Sequence, residues 1–152
     1  MNIFRRVPRA VVVVAIALGL LSGCTKSDSR PRRVPVSGLV HYKGQPVADA
    51  TVLFEPVGST PAATGKTDAS GRYQLTTFDA NDGAVPGEYK VMVRKVQVIP
   101  GSKPESASDD FAGAPPDEKW LLPTKYGHSE SSGLSASVKE NTANDFKFEL
   151  QE

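Results

Sequence analysis

From Val34 onward, apolar residues recur at every second position in short runs, and no helical period replaces them. Successive side chains of a strand point to opposite faces, so this alternation describes half-buried β-strands. Val34, Val36, Gly38, Val40 and Tyr42 share one face, with Ser37 and His41 on the other. Lys43-Gly44-Gln45-Pro46 reads as a turn. Val52 and Phe54 alternate with Thr51 and Glu55 until Pro56 stops the run, and a short strand is expected over Thr64–Thr67. In Asp68-Ala69-Ser70-Gly71, the Asp can bond its own backbone and the Gly can take positive φ. Tyr73 and Leu75 follow in alternation with Arg72, Gln74 and Thr76. Gly87 opens the clearest strand, with Tyr89, Val91 and Val93 inward and Lys90, Met92 and Arg94 outward. Leu134, Ala136 and Val138, then Phe146, Phe148 and Leu150, complete the set. The expectation is an all-β chain of about seven antiparallel strands, each sheet with one wet face. Two such sheets bury their apolar faces against each other as a single β-sandwich.

Composition narrows the function classes. Lys+Arg 18 against Asp+Glu 17 is too balanced for a nucleic-acid binder driven by bulk electrostatics. One cysteine excludes a disulfide scaffold and a Cys-rich zinc module, and two histidines leave little for a His-based metal site. A length of 152 residues suits one domain.

The start of the chain has a different character. Arg5, Arg6 and Arg9 precede Ala10–Leu21, an apolar run broken only by Gly19. As a helix that run spans about 18 Å, short of the roughly 30 Å hydrocarbon core of a bilayer. It fits the h-region of a secretory signal over residues 1–23. Leu21-Ser22-Gly23-Cys24 resembles the lipobox of bacterial lipoproteins. The resemblance implies diacylglyceryl transfer to Cys24, cleavage after Gly23 and acylation of the new N-terminus. Two or three acyl chains hold a protein stably on a membrane, whereas one binds marginally. Thr25 stands where an Asp would imply inner-membrane retention, so the same resemblance implies the outer membrane. Residues 24–33 carry Lys26, Arg30, Arg32 and Arg33 against Asp28. They read as a flexible basic tether, either a solvated spacer or one drawn to anionic headgroups.

Four segments of the body form an ordered set. They are Val36-Ser37-Gly38-Leu39-Val40, Gly44-Gln45-Pro46-Val47-Ala48-Asp49-Ala50-Thr51-Val52, Thr67-Asp68-Ala69-Ser70-Gly71-Arg72-Tyr73 and Pro86-Gly87-Glu88-Tyr89-Lys90-Val91. Together they resemble the carboxypeptidase regulatory-like domain, whose fold is a transthyretin-like sandwich. The later segments, Leu122-Pro123-Thr124-Lys125-Tyr126 and Asn144 to Leu150, look like those of a bacterial lipoprotein subgroup built on that domain. The resemblance implies an accessory, adhesive or scaffold role and no particular chemistry.

Residue chemistry gives little support for catalysis. The single Cys is assigned to the lipid, no G-x-S-x-G occurs, and His41 and His128 are far apart in sequence. No H-x-x-E zinc motif is present, and the chain end Phe148-Glu149-Leu150-Gln151-Glu152 departs from the pattern of the transthyretin-related urate-pathway hydrolases. Asp79-Ala80-Asn81-Asp82-Gly83 invites a calcium reading, but Gly83 and Lys90 fall at the wrong offsets for an EF-hand loop. Lys43 and Asn144, near the ends of the first and last strands, invite an isopeptide reading, but neither occupies an inward position.

Residues 97–133 form a long Pro-containing insertion loop, and its Gly101–Asp117 half has the composition of a disordered segment. Its second half holds Trp120 and Tyr126. These are candidate contacts for a protein partner or a glycan, or else a knot that caps the end of the sandwich. The reading is a non-catalytic envelope protein without cofactor or metal, held by lipid on Cys24 and acting as a structural or adaptor module. The alternative is a carbohydrate-binding module using Trp120 and Tyr126.

Overall fold

The computed structural model describes residues 29–99 and 118–152. The expected leader, Cys24, the first half of the 24–33 tether and the Gly101–Asp117 half of the insertion lie outside them. The chain divides after Arg30, and every element named below belongs to the unit Pro31–Glu152.

The unit is all-β. In chain order the strands are β1 (Val36–Tyr42), β2 (Gln45–Pro46), β3 (Thr51–Pro56), β4 (Ala63–Lys66) and β5 (Arg72–Gln74). Then come β6 (Gly87–Arg94), β7 (Val96–Val98), β8 (Glu118–Trp120), β9 (Leu134–Val138) and β10 (Asn144–Leu150). One 3-10 turn covers Thr124–Gly127. The described residues thus hold ten strands rather than about seven. The additions are the short β2 and the ribbon β7–β8.

One four-stranded sheet runs β4-β3-β6-β9 and is antiparallel throughout. The other is built around β1. One edge of β1 pairs with β10 in parallel, from Val36↔Asn144 to Tyr42↔Leu150. Its opposite edge is shared by β5 (Ser37↔Gln74 to Leu39↔Arg72) and β2 (His41↔Pro46, Tyr42↔Gln45). The parallel pair departs from the expected antiparallel order. Alternation specifies which face a residue takes but is blind to strand direction, because either direction preserves a period of two.

The turns follow local chemistry. Lys43 and Gly44 take φ of 52° and 75°, joining β1 to β2 by a two-residue loop with both central residues left-handed. That is the hairpin loop whose twist matches the strands. Asp68 accepts N–H bonds from Ser70 at 2.8 Å and Arg72 at 3.0 Å, and Gly71 has φ of +75°. Buried Thr67 accepts from the Ala50 N–H at 2.8 Å, tying this turn to the start of β3.

Inward faces of both four-stranded sheets feed one apolar cluster, including Val36, Val40, Phe148 and Leu150 from the β1 sheet and Val52, Phe54, Val91 and Val93 from the β3 sheet. Phe54 sits at its centre, its ring centroid 5.8–6.3 Å from those of Tyr73, Tyr89, Phe146 and Phe148. Each such ring pair contributes about 0.5–1.5 kcal/mol beyond area burial. Gly38 lets Tyr73 lie over β1, and its hydroxyl donates to the Phe146 carbonyl at 3.2 Å. Burial, with the Asp145 charge adding to it, pushes the Tyr73 phenol well up, so it stays protonated.

Candidate functional site

Cys24, the expected lipid attachment site, lies outside the described residues. The tether's last residue is tied down. The Arg33 guanidinium pairs with Asp82 at 3.1 Å and Asp79 at 3.7 Å, and lies 5.2 Å from the centre of the Phe78 ring.

Asp82 organises the polar turn that invited a calcium reading. Its carboxylate accepts N–H bonds from Thr77 at 2.7 Å, Asp79 at 3.1 Å and Phe78 at 3.2 Å. Burial pushes its pKa up, but these N–H groups and Arg33 outweigh that and hold the carboxyl below the usual Asp range. The oxygens are therefore occupied by the loop's own N–H donors and by Arg33. Among the described residues no group of three or more His, Cys, Asp or Glu side chains converges as a metal site would require.

Parallel pairing sets Lys43 and Asn144 at opposite ends of adjoining strands, about 20 Å apart at strand rise. Lys43 forms an ion pair with Glu152, and the Asn144 amide bonds Lys139 and Thr142. His41 faces Glu149 at 3.5 Å, and the His128 ring is 6.1 Å from that of Trp120.

Trp120 and Tyr126 are placed differently from each other. The 97–133 stretch is not one structureless loop, since β8 returns antiparallel to β7, with Val96 opposite Trp120. The Trp120 ring is half-buried, with the Arg94 guanidinium 5.2 Å from its centre and Gly127 against its six-membered edge. A Cβ on Gly127 would stand 2.4 Å from that ring. Tyr126 is 6% exposed and belongs to the core, together with Leu122. Its hydroxyl accepts from the Gln151 N–H at 2.9 Å and donates to the Gln151 carbonyl at 3.1 Å. Tyr126 therefore offers no face to a ligand, and the Leu122–Tyr126 segment packs onto the core.

A concave surface that sequence reading missed lies where β4 and β5 meet. It is an open cleft of about 910 Å³. One wall carries Ser37 and Gln74, directly opposed across β1 and β5, with Arg72 two positions on. The other carries Thr51 and Lys66, directly opposed across β3 and β4, with Thr64 two positions on. The walls are joined by paired backbone bonds between Thr64 and Thr76, at 2.9 and 2.7 Å. Inward-facing Gly65 lets them close, because a Cβ there would stand 2.5 Å from the Gln74 carbonyl oxygen. Lys66 is held by Asp49 at 2.8 Å. The Arg72 guanidinium and the side chains of Thr51, Thr64 and Gln74 have no hydrogen-bond partner among the described residues.

The chain matches no protein-family model and no curated protein. Among solved structures it is similar to the crystal structure of a 9R-lipoxygenase from Cyanothece, at 15% identity and a TM-score of 0.37. That match covers 93% of this chain but spans 20% of the lipoxygenase, and a likeness this low carries no argument about fold or chemistry.

Proposed function

We propose that this protein is a non-catalytic, lipid-anchored component of the cell envelope, its body a single transthyretin-like β-sandwich serving as a structural or adaptor module. The observation that carries this reading is the coincidence at the start of the chain. The one cysteine follows the one long apolar run, behind three arginines and directly after Leu21-Ser22-Gly23. Diacylglyceryl transfer to the Cys24 thiol and acylation of its amine would supply enough hydrocarbon for stable anchoring.

Support for the family reading comes from where its four segments fall. They contribute β1, the β2-to-β3 segment that crosses from one sheet to the other, the Asp68–Gly71 turn and β6. Support for a binding rather than a chemical role comes from the side chains themselves. Among the described residues, neither imidazole has a hydroxyl partner that it could activate as a nucleophile. The glycan alternative through Trp120 and Tyr126 loses support, because Tyr126 is buried and Trp120 is already packed by Arg94 and Gly127.

The test is metabolic labelling with an alkynyl palmitate in a bacterial host, comparing the natural chain with Cys24→Ser. Label and membrane fractionation are expected for the natural chain, with an unlabelled, unprocessed precursor for the variant. Absence of label from the natural chain, or label retained by Cys24→Ser, would overturn the anchor. Crosslinking in intact cells then tests the adaptor role, since a specific protein attached to the strand-rich unit is the expected product.

A further inference from the structure

The cleft between β4 and β5 is a concave surface walled by polar side chains. We propose that it is a binding site for an acidic oligosaccharide, a polyhydroxylated chain bearing carboxylates, with Arg72 as its charge contact. The proposal does not depend on acylation of Cys24.

The volume is of the right order. At about 910 Å³ the cleft lies within the roughly 300–1,000 Å³ range of ligand pockets. Most small-molecule pockets are apolar and closed, with a few polar groups that orient the ligand. This one is open, and the six wall side chains are all hydrogen-bonding: Ser37, Thr51, Thr64, Lys66, Arg72 and Gln74. A peptide ligand needs pockets for alternate side chains, and the lining offers no aliphatic residue to form one. A sugar chain presents hydroxyls at short intervals, which pair with hydroxyls and amides directly or through water. The available chemistry matches a hydroxylated ligand better than a peptide.

Charge then selects among sugars. Arg72 brings a planar fork of donors that suits a carboxylate. The carboxylate in the lining, Asp68, accepts from the Ser70 and Arg72 backbone N–H groups at 2.8 and 3.0 Å and does not engage the Arg72 guanidinium, and Lys66 across the cleft is committed to Asp49 at 2.8 Å. Arg72 is thus the cation left to a ligand, and Lys66 sits at the rim as part of a pair. The position is also defined in space. The Arg72 backbone N–H is fixed by Asp68 at 3.0 Å, and its carbonyl accepts from the Asp68 N–H at 2.8 Å. A rigid base lowers the ordering cost of binding through a long side chain.

The experiment is calorimetric titration of the full chain in detergent with oligogalacturonate. The comparison ligands are the same oligomer with its carboxylates reduced to alcohols, and oligoglutamate. Oligogalacturonate should bind at up to millimolar concentration. Carboxylate reduction should weaken binding about tenfold or more, the range expected for loss of charged hydrogen bonds. Arg72→Ala should cause a similar loss, Arg72→Lys should recover part of it, and Lys66→Ala should change it less. Arg72 is exposed, so the melting midpoint of Arg72→Ala should match that of the natural chain and exclude misfolding as the cause. Three results would overturn the proposal: no oligogalacturonate binding at millimolar concentration, unchanged affinity in Arg72→Ala, or equal affinity for oligoglutamate.

Discussion

Replacing Gly38 by Ala probes the packing at the centre of the β1 sheet. Gly38 faces inward on β1, in one row with Phe146 of β10 and Tyr73 of β5. A Cβ at this position would stand 2.0 Å from the Phe146 carbonyl oxygen, 2.4 Å from the Tyr73 hydroxyl and 2.6 Å from its ring. The first obstacle is backbone and the second is a ring 2% exposed, so neither gives way easily. Displacing Tyr73 loses its bond to Phe146, about 1 kcal/mol. It also disturbs ring contacts with Phe54 at 6.3 Å and Phe148 at 6.4 Å, each about 0.5–1.5 kcal/mol. Forcing the strands apart adds about 1–3 kcal/mol of overpacking. Because relaxation at one point spares another, the expected total is about 3–5 kcal/mol. For a unit of this size that is a fall of roughly 12–20 °C in melting midpoint. Urea denaturation followed by circular dichroism measures it. Tyr73→Phe removes the hydroxyl alone and should cost about 1 kcal/mol. Tyr73→Ala combined with Gly38→Ala should cost less than the two separately, since the ring that blocks the methyl is gone. A loss below about 1 kcal/mol for Gly38→Ala, or strict additivity in the pair, would refute the reasoning.

Two further perturbations have defined outcomes. At Gly71, φ is +75° and a Cβ would meet the Val40 carbonyl oxygen at 2.6 Å, so Gly71→Val should destabilise by about 2 kcal/mol or more; an unchanged melting midpoint would contradict the turn. Asp82 has a folded-state pKa below its unfolded value of about 3.9, so its stabilisation is present above that pH and is lost as pH falls through the folded value. Asp82→Asn should therefore cost about 1–2 kcal/mol at neutral pH and flatten the fall in stability below about pH 4. Urea midpoints from acid to neutral pH that stay parallel to those of the natural chain would contradict this.

Much of the strand pattern was legible because burial on one face forces alternation. Gly87–Arg94 and Leu134–Val138 lie where the alternation puts them, with Tyr89, Val91 and Val93 buried. The Asp68–Gly71 turn was legible because its chemistry is local. What escaped is non-local or too short. β7 and β8 have three residues each, too few for a period, and their pairing spans a Pro- and Ser-containing segment. Tyr126 is buried because its hydroxyl finds Gln151, 25 positions away, a pairing that no local pattern encodes. The cleft was equally hidden. Its wall residues are the ordinary polar halves of alternating strands, and they become a site only when Gly65 draws β4 and β5 together. A row of hydroxyl and amide side chains at outward positions, where Lys and Glu would serve as well, was the available signal.

The parallel pairing of β1 with β10 also governs the order of events in biosynthesis. Ser37 and Asp145 face each other across 108 positions of chain. At about 5–20 residues per second, roughly 5–20 s separate the emergence of one from that of the other. Throughout that interval β1, which becomes an interior strand, has one edge of unpaired amides and carbonyls. Such an edge is a template for association with other chains. High contact order of this kind slows folding, because loop-closure entropy is lost before the distant contact repays it. The nascent protein is therefore most vulnerable to aggregation just before β10 emerges, and a chain truncated ahead of Asn144 would be held in that vulnerable state permanently.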